Sequence, residues 1–213
     1  MSAQTVERLQ RVQRIALEND QSKVSWRHSG MNEQIPQKQM ALVVVDMQKD
    51  NVGRFCHHIV PKIARLIQRV RDKGMSVFFA CDSRYPDDFI FTRGKHPVST
   101  IRGTEGVKVI DELQPAPGDI VVEKRMLSAF FATDLDFTLR HRGIRGLIVT
   151  GVATWACVLK TAFDAVELGY EVVVPADCCA SPSVEDHEAA LKVLERLRVL
   201  RPTADEVLDT VMR

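Results

Sequence analysis

The chain has little of what marks several common protein classes. Its five cysteines in 213 residues are odd in number and too few for a disulfide scaffold. It contains no CxxC pair and no HExxH, so the familiar zinc patterns are absent. Neither GxGxxG nor GxxxxGK[ST] occurs, which removes the usual nucleotide-binding fingerprints. The 29 Lys+Arg against 28 Asp+Glu leave a formal charge of +1, so no whole-chain electrostatic case exists for nucleic acid or an anionic membrane. Apolar runs such as Met40–Val45 and Val77–Cys81 are far too short to span a bilayer. The first twenty residues carry charges among their apolar positions and do not read as a secretory signal. A soluble cytoplasmic protein with no nucleic-acid or membrane partner is the expectation.

What is present is an ordinary globular composition, 45% hydrophobic and 27% charged, at a length suited to one large domain. Residues 4–17 place Val6, Leu9, Val12 and Ile15 at a spacing of three, as an amphipathic helix does. A polar stretch with a Ser29-Gly30 turn signal and Pro36 follows, so residues 1–38 read as a helical appendage anchored through Trp26 and Met31. An isolated helix this short needs a packing surface, in its own subunit or in a neighbour.

From residue 39 to 213 short β-branched runs alternate with helical patterns. Strands are expected at 41–46, 75–81, 119–124, 145–151 and 171–177, with a short one near 198–200. Helices are expected at 59–73, 107–113, 133–141 and 157–168, from Ser183 to about Arg196, and after a Thr203–Glu206 capping box. Six strands, mostly unbroken in their hydrophobicity and separated by helices, predict an α/β fold. It is a three-layer, doubly wound, mostly parallel sheet with helices on both faces.

Ligands of such sheets bind outside the carboxyl ends of the strands. The first strand ends in Asp46, the third in Lys124, and the fourth runs through Gly151 into VATWAC, which ends at Cys157. An acid, a base and a thiol thus reach one edge from three distant places. Each also has a structural reading, as a turn cap, a solvated strand end and a buried helix residue. Vicinal Cys178 and Cys179 read as small core residues, and His57–His58 as a solvated loop pair.

VVVDMQKD (43–50), RGTEG (102–106), EKRMLSAFFATDLDFTLRHRGI (123–144) and LIVTGVATWACVLKTAFDAVELGYEVVVPADCCAS (147–181) together resemble the isochorismatase-like cysteine hydrolases. That superfamily includes nicotinamidases and N-carbamoylsarcosine amidase. The resemblance spans about residues 40–200 and implies an Asp46, Lys124, Cys157 triad. It also implies a cis peptide at Val152–Ala153 and an oxyanion hole from the backbone N–H groups of Ala153 and Cys157. Its chemistry is intelligible: a thiol needs proton removal, which Asp46 could perform, while Lys124 and the following helix N-terminus would favour the thiolate. Retention of the cysteine separates the chain from isochorismatases proper, which cleave a vinyl ether and lack it.

The nicotinamidases of the superfamily hold a metal through Asp-x-His after the second strand. Here that place reads CDSRYPDD, with Arg84 two residues beyond Asp82, so no metal and no cofactor are expected, although His96 lies in the same loop. Arg84 could bind a substrate carboxylate through its planar fork, or pair with Asp87 or Asp88. Phe130 and Trp155 are candidate pocket walls, or core, as is Phe131. The resemblance implies a homo-oligomer acting on a small amide or ureide. Rival readings are a nicotinamidase-type amidase, a non-catalytic binding or assembly protein on the same scaffold, and a thiol redox activity with Cys56 or Cys178 as partner.

Overall fold

A computed structural model describes residues 35–53, 55–94 and 96–210 of the chain. The amphipathic segment 4–17 and the anchors Trp26 and Met31 lie outside the described residues. The compact unit begins at Ile35.

Six strands form one parallel sheet: β1 (Met40–Val45), β2 (Ser76–Asp82), β3 (Ile120–Lys124), β4 (Gly146–Val152), β5 (Glu171–Val173) and β6 (Cys179–Ala180). The order is β3-β2-β1-β4-β5, with β6 beside the end of β4. β1 is central, pairing in parallel with β2 from Ala41↔Ser76 and with β4 from Met40↔Gly146. All six of its residues are buried. That is what a strand covered on both faces requires, and why MALVVV shows no alternation.

The helices are α1 (Val60–Asp72), a one-turn α2 (Phe89–Thr92), α3 (Leu135–His141), α4 (Leu159–Glu167), α5 (Val184–Arg196) and α6 (Ala204–Thr210). Ala41, Val43 and Val45 of β1 share a core with Leu135 and Leu139 of α3, Ala162 and Ala165 of α4, and Leu191 and Leu194 of α5. Leu42 and Val44 point to the opposite face, as successive strand residues must. α1 packs on β1 and β2 and buries Val60, Ile63, Leu66, Ile67 and Val70 along one stripe, while α6 packs on α1. The Ser183 hydroxyl caps α5 by accepting from the Asp186 N–H at 3.1 Å. Glu206 closes the α6 capping box, its carboxylate accepting from the Thr203 N–H at 2.7 Å.

Four expected elements differ. Residues 107–113 form no α-helix: Val109 bridges Gln48 in antiparallel fashion, between single 3₁₀ turns at Glu105–Val107 and Asp111–Leu113. The seven-residue strand expected at 171–177 stops at Val173, because Pro175 leads into a 3₁₀ turn, Ala176–Cys178. The chain re-enters the sheet as β6, so the sixth strand is Cys179–Ala180, and Leu200 contributes only a bridge to Val173. The helix expected from Cys157 begins earlier, as a π-helical turn, Thr154–Val158, that runs into α4.

Gly151 sits at φ +112°, and a Cβ there would lie 2.1 Å from the Val45 carbonyl oxygen. Only glycine lets β4 close on β1 at the level where the polar residues begin.

Candidate active site

Asp46 follows β1 directly, with its backbone in the left-handed region at φ +53°, a conformation aspartate tolerates better than most residues. Its N–H still donates to the Ala80 carbonyl, 2.9 Å away, so the carboxylate is carried by a fixed backbone. Lys124 is the last residue of β3, and Cys157 lies in the turn after β4. The Val152–Ala153 peptide is cis, as the resemblance implied.

The three side chains converge in a buried cluster with a fourth, Asp82, at the end of β2. The Lys124 ammonium pairs with Asp46 Oδ2 at 2.9 Å and with Asp82 Oδ1 at 2.7 Å. It also donates to the Met126 carbonyl at 3.1 Å and lies 3.6 Å from Cys157 Sγ. Donor atoms of Asp46, Asp82 and Cys157 fall within 4.8 Å of one another. The cation at their centre is the ammonium of Lys124 itself.

This charge distribution decides which species rests in the site. Burial disfavours the Lys124 ammonium, but Asp46, Cys157 and Asp82 outweigh it and hold its pKa above the ordinary value. Burial, then the charge of Asp46, pushes the Cys157 thiol well above its ordinary range, and Lys124 only partly opposes this. The sulfur lies within 4.8 Å of an Asp46 carboxylate oxygen. Lys124 thus favours the thiolate, as expected, but burial and two carboxylates outweigh it and leave a neutral thiol close to Asp46.

Two supporting residues escaped the sequence reading. Gln48, fully buried, donates to the carbonyls of Asp82 (2.8 Å) and Val107 (2.6 Å) and accepts from the Asp82 N–H (2.8 Å). It thereby ties the end of β2 to the loop after β1. Asp50 accepts from the Thr100 N–H at 2.7 Å, and a Cβ on Gly106 would collide with its carboxylate at 2.1 Å. The RGTEG segment thus docks on the first motif, with the Asp50 N–H also donating to the Gly106 carbonyl at 3.1 Å.

The expected substrate contacts have different surroundings. Arg84 is 7% exposed, and its guanidinium pairs with Asp82 Oδ2 at 2.6 Å, not with Asp87 or Asp88. Asp88 binds Arg125 instead. Phe130 stacks on Tyr170, with ring centroids 5.8 Å apart, and packs on the core. Trp155 is 47% exposed, and its backbone N–H donates to Ser181 Oγ at 3.3 Å. The oxyanion candidates Ala153 and Cys157 flank the nucleophile turn, which the Ala153 carbonyl also anchors by accepting from the N–H groups of Ala156 and Val158. A separate cavity of about 470 Å³ lies along the edge strand between Lys49, Cys81, Ser83, Val121 and Glu123; none of Asp46, Lys124 and Cys157 lines it.

All five cysteines are buried and free. Among the described residues, the only group of three or more ligand-type side chains close enough for a metal is Asp46, Asp82 and Cys157. Those donors are turned onto Lys124, and the remaining oxygen of Asp82 is on Arg84, so the side chains do not fit the metal that nicotinamidases hold. No described helix is long and apolar enough to cross a membrane.

A parallel α/β sheet with an acid, an ammonium and a thiol gathered at its carboxyl edge defines a class, and comparison with known proteins gives the family. The Isochorismatase domain family matches residues 40–205, and the chain belongs to it. A ureidoacrylate amidohydrolase, RutB, of Stutzerimonas stutzeri is 34% identical over 187 residues, which cover 73% of this chain and 75% of that protein. A probable inactive nicotinamidase of Arabidopsis thaliana is 31% identical, covering 78% and 93%. Among solved structures, N-carbamoylsarcosine amidase from Thermoplasma acidophilum superposes with a TM-score of 0.71 at 31% identity, covering 78% of this chain and 97% of that one. Nicotinamidase from Bacillus subtilis gives 0.72 at 32% identity, covering 77% and 99%.

Proposed function

We propose that this protein is a cysteine-dependent hydrolase that cleaves the C–N bond of a small non-peptide amide or N-carbamoyl (ureide) compound through a thioester intermediate. The observation that carries this is the Cys157 thiol, whose sulfur lies within 4.8 Å of an Asp46 carboxylate oxygen and 3.6 Å from the Lys124 ammonium. A scaffold or binding role requires none of these three residues in one buried cluster.

In the proposed reaction Asp46 takes the thiol proton as sulfur attacks the substrate carbonyl. The ammonium of Lys124 offsets the charge that sulfur carries before the bond forms. Backbone N–H groups of Ala153 and Cys157 donate to the developing oxyanion. As the tetrahedral species collapses, the C–N bond breaks and Asp46 returns the proton to the departing nitrogen. Water, deprotonated by the same carboxylate, then adds to the thioester. Collapse releases the acid and restores the thiol.

The names of the relatives bracket the substrates to try: ureidoacrylate, N-carbamoylsarcosine and nicotinamide. The clash between the side chains around Asp82 and a ring-gripping metal favours the ureides and linear amides over nicotinamide. An ammonia-release screen over these three compounds and simple amides, with Cys157→Ala as the blank, tests the reading. We expect release from at least one ureide or linear amide and none from the variant. Release by the variant at the wild-type rate, or no release from any of the set, overturns it. Nicotinamide hydrolysed best would instead favour the nicotinamidase alternative.

A further inference from the structure

The proposed chemistry uses one carboxylate, yet the centre contains two. Asp82 is buried, faces Lys124 from the neighbouring strand and has almost no solvent to stabilise its charge. An unpaired carboxylate in such a place is costly, so its partners are informative. One oxygen accepts from Lys124 at 2.7 Å, and the other pairs with Arg84 at 2.6 Å. Its backbone is fixed as well, because the Asp82 N–H donates to both Asp46 Oδ1 (3.0 Å) and Gln48 Oε1 (2.8 Å). Arg84 is buried too, with its guanidinium 5.8 Å from the centre of the Phe91 ring. Two carboxylates and two cations therefore alternate in one chain: Asp46, Lys124, Asp82, Arg84.

During catalysis Asp46 must alternate between anion and acid. If Asp46 were the sole partner of Lys124, the ammonium would tie up the oxygen that has to accept the thiol proton. It would also lose its counter-charge each time Asp46 became neutral. We propose that Asp82 and Arg84 are positioning residues of the centre. Asp82 holds the Lys124 ammonium beside the thiol through every protonation state of Asp46, and Arg84 supplies the counter-charge Asp82 needs to remain an anion. The consequence for sulfur is direct. With Lys124 held by Asp82, proton transfer to Asp46 leaves a thiolate facing a full positive charge at 3.6 Å.

This inference rests on the cysteine-hydrolase reading for its meaning, but its test does not need the substrate. Alkylation of Cys157 by iodoacetamide, followed by peptide mass mapping, measures the activation of the thiol alone. Asp82→Asn keeps the shape and removes the charge, so Lys124 falls back on Asp46 and weakens it as a base. Loss of the Asp82 charge by itself eases ionisation of Cys157, but Lys124, drawn to Asp46, no longer faces the sulfur, and we expect alkylation to slow by about 10-fold near neutral pH. Arg84→Met should slow it comparably, because Asp82 then takes up a proton.

The two variants part company as pH rises. The groups facing Asp82 are Asp46, Lys124, Arg84 and, beyond Lys124, Cys157. In Arg84→Met, raising the pH re-ionises Asp82, so its rate relative to wild type recovers. In Asp82→Asn the ratio stays low at every pH, and the double variant is no slower than Asp82→Asn alone. Arg84→Lys should keep most of the wild-type rate. An Asp82→Asn protein that alkylates at the wild-type rate overturns the proposal, as does an Arg84→Met deficit that ignores pH. If Asp82→Asn does not fold, the pH behaviour of Arg84→Met against Arg84→Lys decides alone. A wild type that alkylates in this pattern but hydrolyses no amide sinks the functional reading and leaves this one standing.

Discussion

Cys157 and Cys179 occupy the same edge of the same sheet, and they differ in almost everything that decides chemistry. Cys157 lies in the turn that leaves β4, and Cys179 begins β6, the strand paired with the end of β4 at Gly151↔Cys179. Both are buried, both are free, and burial pushes both thiols well above their ordinary range. What separates them is company. Around Cys157 stand Asp46, Lys124 and Asp82, whereas the sulfur of Cys179 faces the Val149 carbonyl at 3.9 Å and the backbone at Gly151, with no carboxylate or ammonium among its hydrogen-bond partners in the described residues. A raised thiol pKa is therefore no mark against a nucleophile. It marks a proton that must be handed over, and only Cys157 has an acceptor to receive it.

The sharpest way to break this comparison is to remove each sulfur in turn. Cys157→Ala should lower hydrolysis by at least about 10³-fold while leaving the melting profile close to native, since the change is small and the turn is held by backbone hydrogen bonds. Cys179→Ser should do the reverse. Turnover should stay near wild type, and chemical denaturation should reveal a cost of about 1–3 kcal/mol from placing a hydroxyl among Val149, Val174 and their neighbours. Equal losses of activity in both variants would mean that the two thiols belong to one function, such as a redox pair.

Asp46→Asn comes next. Proton transfer fails in both half-reactions, so the loss should be about 10²- to 10⁴-fold in kcat, read in the same assay. Because the residues act as a unit, Asp46→Asn combined with Cys157→Ala should be little worse than Cys157→Ala alone. A multiplicative loss would place Asp46 outside the reaction of the thiol.

A fourth variant moves the comparison into the backbone of β4, which leads into Cys157 and pairs with Cys179. Gly151 pairs with Cys179 and abuts Val45, the residue before Asp46. Gly151→Ala adds a Cβ 2.1 Å from the Val45 carbonyl at a φ that side chains rarely adopt. Overpacking of this kind costs about 1–3 kcal/mol, and the backbone has no flexible side chain to yield. Thermal unfolding should show the loss, and turnover should fall with it as Asp46 shifts. Unchanged stability would mean that β1 and β4 can separate at the site.

Much of this site was legible before any coordinates. Asp46 and Lys124 stand at the ends of hydrophobic strands and Cys157 in the turn that leaves another, and a parallel sheet brings such ends to one edge. The supporting network was not legible, because Gln48 and Asp50 bond to backbone carbonyls and N–H groups that have no sequence spacing. For Arg84 the sequence offers a substrate carboxylate or Asp87 or Asp88 as partner, and spacing alone does not single out Asp82, which it meets because the end of β2 turns both side chains into the centre. The 107–113 segment misled for another reason. Its apolar residues Val107, Val109, Ile110 and Leu113 fit a helical spacing, yet the bridge to Gln48 and the docking of Gly106 on Asp50 settle its shape. β6, two residues long, carries no periodicity at all.

The charge chain around Cys157, which Cys179 lacks, also makes a prediction about stability and pH. Burial, and after it the charge of Asp46, raises Asp82 from its ordinary 3.8 to about 6, with Lys124 and Arg84 opposing the shift. A carboxyl whose folded-state pKa lies above its unfolded value binds its proton more tightly when folded. Its contribution to stability is full below about 3.8 and is lost as pH rises through about 6. Wild type should therefore lose stability relative to Asp82→Asn across that window, a gap that urea denaturation at several pH values measures. A gap that is constant with pH would mean that Asp82 does not titrate there.

The smallest expected effect is none, and it tests whether the cage around Cys157 has room for a second kind of cation. Asp46, Asp82 and Cys157 present ligand atoms within 4.8 Å of one another, the sort of grouping a divalent ion seeks. The ammonium of Lys124 already stands 2.9 Å, 2.7 Å and 3.6 Å from them, and the remaining oxygen of Asp82 is on Arg84. A metal ion entering the cage would have to displace a lysine whose three partners hold it protonated, or bind beside its charge. Activity of the purified protein should thus stay within about 2-fold of its starting value after dialysis against EDTA or 1,10-phenanthroline, since no ligand of the chelated ion is lost. Added zinc should give no stabilisation of the kind that binding to the native state produces, measured as a shift in melting temperature. Activity lost on chelation and restored by one particular ion would show that Lys124 yields its place, and the ion-pair chain proposed for the centre would have to be redrawn around that ion.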